Sequence, residues 1–123
     1  MSALSDDTLR KILIQIQQTA VQSQRALTAC QQQTAAKQRE KRILEITIQE
    51  ISSLEPGINL YKGVGKMFMM VPRKEMEAEL KGQEKELSDD INGLNKKAKH
   101  LEKQFNDAQN QLRDIFHHAP RQQ

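Results

Sequence analysis

Apolar residues recur along the second half of the chain with a period of seven. Leu80, Glu84, Leu87, Ile91, Leu94, Ala98, Leu101, Phe105, Ala108, Leu112 and Ile115 follow in steps of four and three without a slip, and only Glu84 is polar. A 3.5-residue repeat sustained over about five heptads keeps one narrow stripe of an α-helix facing a partner, the pattern of a coiled-coil seam. Pro72 suits the first turn of that helix, where its missing N–H has no intrahelical partner to lose. His117-His118 ahead of Pro120 mark its end. Gly82 and Gly93 are local faults of about 1 kcal/mol each relative to Ala.

The first half carries a noisier version of the same signal. Ser5 followed by Asp6 and Asp7 reads as an N-cap with acidic residues that suit the helix dipole. The best register then runs Leu13, Ile16, Ala20, Ser23, Leu27, Cys30, Thr34, Lys37, Lys41, Leu44, Ile48 and Ile51, with a weak middle at Thr34, Lys37 and Lys41. Thr47-Ile48-Gln49-Glu50 has the form of a capping box, so a helix break near 44–47 stays open. Leu44, Ile46 and Ile48 also alternate as a strand would. Helix is favoured, because Leu44, Ile48 and Ile51 keep to one seam.

Helix breakers gather between the two segments: Pro56-Gly57, Gly63, Gly65 and Pro72. The chain is therefore expected to fold back on itself as an antiparallel hairpin of helices. Paired residue numbers should then sum to roughly 127, by the symmetry of antiparallel heptads. Leu13 is placed near Asp114 and Ile115, Lys37 near Asp90, and Lys41 near Glu86. At 1.5 Å per residue, a helix of about 45 residues gives an arm of roughly 65–70 Å. The stretch 58–71 between the helices is the densest apolar run. It holds Leu60, Tyr61, Val64, Met67, Phe68 and Val71, which favour strands, with Gly63 to Gly65 as a turn or bulge between them. A lone β-hairpin is marginal in water, and its open apolar edges call for strands from elsewhere. Fourteen residues are also too many for a helix-to-helix loop. An assembly surface is the better reading; a hydrophobic plug closing the helices is the plainer one.

The expected fold is mainly α: two long helices in an antiparallel coiled-coil hairpin with a single β-hairpin at the base. One domain covers 1–123, with an N-terminal helix over 5–54, a β-hairpin over 58–71 and a C-terminal helix over 73–118. Composition agrees. Among 123 residues, aromatics are 3%, with no Trp, and charged residues 28%, too lean for a thick core. Ala, Leu, Gln, Glu and Lys dominate, as in long helices packed along narrow seams. The net charge of +3 is spread over interspersed signs, which argues against nucleic acid as a partner. No apolar run approaches the roughly 20 residues that span a bilayer, so no membrane partner is expected. The start has no apolar stretch of a signal peptide, and one cysteine fits a reducing compartment. A soluble, cytoplasmic protein is expected.

Candidate chemistry is thin. Gly63-Val64-Gly65 lacks the lysine and spacing of a phosphate cradle. His117 and His118 point about 100° apart on a helix and make a poor metal pair. Cys30 lies on the seam with no His near it in the proposed pairing. No catalytic, metal or cofactor residue stands out, no cofactor is expected, and the chain does not read as an enzyme.

Tyr61-Lys62-Gly63-Val64-Gly65-Lys66-Met67-Phe68 resembles the Y-x-G-V-G-[RK]-M-F signature of the subunit-one branch of the prefoldin family. Helix, single β-hairpin and helix is likewise the outline of that family's β class. The resemblance implies a heterohexamer of two α-class and four β-class subunits, so that two α-class and three further β-class subunits would be partners. Its hairpins build a double β-barrel body from which six coiled-coil arms hang. It implies ATP-independent holding of unfolded clients such as actin and tubulin at the tips, and delivery to the cytosolic chaperonin. Carried onto this chain, Leu60, Tyr61, Val64, Gly65, Met67, Phe68 and Val71 would serve assembly. Leu9, Ile12, Leu13, Ile14, Ile16, Leu112, Ile115 and Phe116 would serve clients. Ile12, Ile14 and Phe116 exceed the two positions in seven that a seam uses, and exposed apolar residues usually mark interaction sites. Pro72, Gly82, Gly93 and the polar stretch 31–42 depart from a rigid arm. The competing readings are a homodimeric coiled-coil scaffold or tether, and a subunit of a prefoldin-like complex. A basic-zipper DNA binder fails, since 67–81 mixes basic with acidic residues.

Overall fold

The computed structural model describes residues 5–118. Residues 1–4 and 119–123 lie outside the described part, and with them the stop signal at Pro120. The elements in chain order are helix α1 (Asp6–Ser53), strands β1 (Leu60–Val64) and β2 (Met67–Val71), and helix α2 (Arg73–His118). Two long helices pack together with a two-stranded antiparallel hairpin between them, as the periodicity predicts.

The ends of the helices follow from local chemistry. Ser5 caps α1: its Oγ accepts from the Thr8 amide at 3.2 Å, and its carbonyl accepts from Leu9 N at 3.0 Å. Pro72 stands one residue ahead of α2, and its carbonyl accepts the Met76 amide at 3.0 Å. It is therefore the capping residue and not part of the first turn. α1 is continuous to Ser53, without the break left open near 44–47. Thr47 does not cap a new helix; its hydroxyl donates back to the Ile43 carbonyl at 2.8 Å, the usual use of a threonine inside a helix.

Two compact units are distinguished. In the first, 6–33 of α1 pairs with 94–118 of α2. Its tightest positions carry small side chains: Ala20, Ser23 and Cys30 on α1, Ala108 on α2. Cys30 is 1% exposed, and its Sγ donates to the Leu94 carbonyl at 3.2 Å. Larger seam residues such as Leu27, Leu101 and Phe105 are half-buried. In this unit small side chains at close approach leave solvent, while the larger seam residues stay half-covered because two helices make a thin seam.

The second unit holds 34–53, the β-hairpin and 73–93. Ile91 is its buried anchor, with Leu44, Ile48, Ile51, Leu80 and Leu87 half-buried along the seam. In the weak middle, Lys37 Nζ reaches Asp90 Oδ2 at 3.2 Å, an antiparallel pair whose numbers sum as expected. Among the described residues, Lys41 and Glu86 form no ion pair. An exposed pair of this kind contributes about 0–1 kcal/mol, so register rests on the apolar seam.

Arg73 closes the base. Its guanidinium donates to the carbonyls of Leu54 at 2.9 Å and Glu55 at 2.6 Å, just past the end of α1. A helix C-terminus leaves carbonyls without partners and bears partial negative charge, so one cation satisfies both needs. Arg73→Ala is expected to lower stability by roughly 1–2 kcal/mol, less than a fully buried charged hydrogen bond because the site is half-exposed. Amide exchange at Ile58, whose N–H bonds Glu55 O within the same turn, should quicken about tenfold. An unchanged rate there would show that the guanidinium does not hold the turn.

Candidate functional site

The β-hairpin pairs Leu60 with Val71, Tyr61 with Met70, Lys62 with Met69, Gly63 with Phe68 and Val64 with Met67. Gly65 and Lys66 form the two-residue turn. Gly65 has φ +63° and, among the described residues, no non-glycine residue has positive φ, which is the type II′ pattern that matches the right-handed twist of paired strands. The turn thus lies one step later than the Gly63 to Gly65 stretch expected from sequence. Gly63 sits inside β1, and a Cβ there would meet the Phe68 ring at 3.7 Å. That is an ordinary van der Waals distance, so the ring approaches Gly63 across the hairpin without requiring a glycine there.

Paired residues share a face of a hairpin. Tyr61, Met70, Gly63 and Phe68 make one face; Leu60, Val71, Lys62, Met69, Val64 and Met67 make the other. Both faces are apolar apart from Lys62, which pairs with Glu79 on α2. Leu60 and Val71 are half-buried at the root, and every residue between them is exposed. Phe68 is 77% and Met67 71% exposed. The ribbon therefore has two uncovered apolar faces and two unpaired edges. Met69 and Met70 belong to it equally, though the sequence reading did not single them out; their membership in the same apolar run was the available signal.

The first unit carries the other predicted set. Leu13, Ile16, Leu112 and Ile115 are half-buried in the seam, and Leu9 and Ile12 are half-buried as well. Ile14 and Phe116 are exposed, Phe116 at 66%. Ile12, expected among the surplus residues, is thus partly covered. Among the described residues, no cluster of three or more His, Cys, Asp or Glu is arranged to hold a metal ion, and no helix is long and apolar enough to cross a membrane.

An antiparallel coiled coil that bears an apolar β-ribbon between its helices defines the prefoldin β fold. The structure is similar to the crystal structure of the prefoldin beta subunit from Thermococcus strain KS-1, with a TM-score of 0.79 and 21% identity, covering 98% of this chain and 100% of that one. The model of the family described as "Prefoldin subunit" matches residues 14–119, and the chain belongs to that family. It is 31% identical to the probable prefoldin subunit 1 of Dictyostelium discoideum over 91 residues, which are 74% of this chain and 79% of that relative. It is 26% identical to human prefoldin subunit 1 over 116 residues, 94% of this chain and 95% of the human one. The resemblance to the subunit-one branch, a β class, is thereby borne out. Membership implies a co-chaperone role and assembly with other prefoldin subunits.

Proposed function

We propose that this chain is one β-class subunit of a cytoplasmic heterohexameric prefoldin, set among two α-class and three further β-class subunits. Its β-hairpin adds strands to a shared body. Its tips hold unfolded clients of the actin and tubulin type and deliver them to the cytosolic chaperonin. It works by binding alone, with no cofactor, ATP or catalysis. The observation that carries this reading is the uncovered hairpin in a chain of this family: two apolar faces and two free edges are what strand-by-strand assembly would cover. At the tips, Ile14 and Phe116 offer apolar surface without directional polar groups, which suits chains of varied sequence. Several arms acting together would turn weak contacts into useful retention.

Native mass spectrometry of the tagged chain, purified from its own cells at normal expression, tests the assembly. Five other small coiled-coil subunits are expected with it, and a stable homodimer would make it a scaffold instead. For the tips, substitution of Ile12, Ile14 and Phe116 by Ser should leave the hexamer intact. It should weaken suppression of aggregation of a denatured client several-fold. Undiminished suppression by that hexamer would remove the tips from the mechanism.

A further inference from the structure

In the second unit, α1 and α2 border a shallow open groove of about 450 Å³ along one flank of their seam. Its apolar lining is Ile43, Leu44 and Leu87. Leu44 and Leu87 are half-buried seam residues, whereas Ile43 stands out of the seam and is 63% exposed. Its charged lining is Lys37 against Glu40, Glu86 and Asp90. Lys37 is engaged by Asp90. Among the described residues, Glu40 and Glu86 form no ion pair, and both are exposed.

This acidity is local. The chain as a whole has a net charge of +3. At 100° per residue, Glu79, Gln83, Glu86 and Asp90 fall on one flank of α2, while Lys81, Lys85 and Ser88 fall toward the other. The groove thus lies on the acidic flank, with an apolar centre between two uncompensated carboxylates, one on each helix. Such a surface repels acidic peptides, nucleic acid and anionic lipid. It attracts a segment that offers an apolar side chain with cations on both sides.

We propose that this groove docks a short basic segment of a partner protein, with one apolar side chain seated on Ile43, Leu44 and Leu87 and Lys or Arg residues meeting Glu40 and Glu86. The groove residues are separate from those of the β-hairpin and the tips. The site therefore does not depend on the hexamer reading, and native mass spectrometry can fail while this site stands, or the reverse.

The test is fluorescence anisotropy of the full-length chain with a labelled twelve-residue peptide bearing a central Leu-Leu pair and two Lys on each side. Saturable binding is expected, weakened about tenfold or more by E40K/E86K, and about tenfold by Ile43→Ser through loss of apolar contact. It should also weaken as salt rises. A peptide with Glu in place of Lys should bind E40K/E86K better than the parent chain. All three positions are exposed, so the helices should persist by circular dichroism; E40Q/E86Q serves if the reversal does not fold. No saturable binding, or binding indifferent to these substitutions, overturns the proposal. So does self-association of the free chain that Ile43→Ser abolishes, because the occupant would then be a second copy.

Discussion

Phe68→Asp is expected to leave the chain folded and unassembled. The ring is 77% exposed, and the neighbour it approaches across the hairpin is Gly63, so the chain's own fold gains little from it. In the proposed body the same ring would be covered. Covering a phenylalanine contributes about 1.5–3 kcal/mol. A carboxylate in its place would lose that contribution and need costly desolvation. The combined penalty exceeds about 3 kcal/mol, more than a hundredfold in association. Pull-down with the other subunits should fall to background while the melting curve of the isolated chain stays put. Recovery of the variant hexamer at wild-type yield would sink the assembly role of this face. Tyr61→Asp, on the same face, should behave alike.

Ile91→Ala should give the largest loss of stability from one seam residue. Ile91 is 8% exposed and is the large apolar side chain that the second unit buries most fully. Truncating a buried isoleucine costs about 2–5 kcal/mol, and a two-helix seam that partly collapses around the gap puts this site near the lower end. Loss of roughly 2–3 kcal/mol corresponds to a melting temperature lower by about 10 °C, followed by circular dichroism at 222 nm. Ile43→Ala makes the comparison sharp. It removes the same atoms from an exposed position on α1 and should change stability by no more than about 0.5 kcal/mol. Equal shifts in the two variants would mean that burial does not govern the stability of this chain.

Most of the seam could be read from spacing, because the 3.5-residue repeat and burial against one partner are two views of one geometry. The register named on α2 from Leu80 to Ile115 is half-buried or buried at every position, Glu84 included. The same holds on α1 from Leu13 to Ile51, even through the polar Thr34, Lys37 and Lys41. Which of these would vanish from solvent was not legible. Ala20, Ser23, Cys30 and Ala108 do so because small side chains let helices approach, and Ile91 does so despite its size; both depend on what lies opposite. The hairpin shows the same division. Its apolar run announced strands, but one dihedral angle at Gly65 placed the turn, and the pairing it sets brought Met70 beside Tyr61.

Arg73 and the acidic groove mark the limit of the sequence. Nothing near Pro72 and Arg73 announces that a guanidinium will reach the carbonyls of Leu54 and Glu55, almost twenty positions earlier. The expected register already sets Glu40 near Glu86, but that both line one open groove shows only once the helices lie side by side. Local periodicity, capping and turn chemistry depend on neighbours within a few residues, and these determined the helices, their seam faces and the presence of a central hairpin. Partners far apart in the chain depend on the pairing register that folding selects. The approximate register followed from heptad symmetry, as the Lys37–Asp90 pair shows, but the closed base, the exposure of both ribbon faces and the charged walls of the groove were decided only by the tertiary structure.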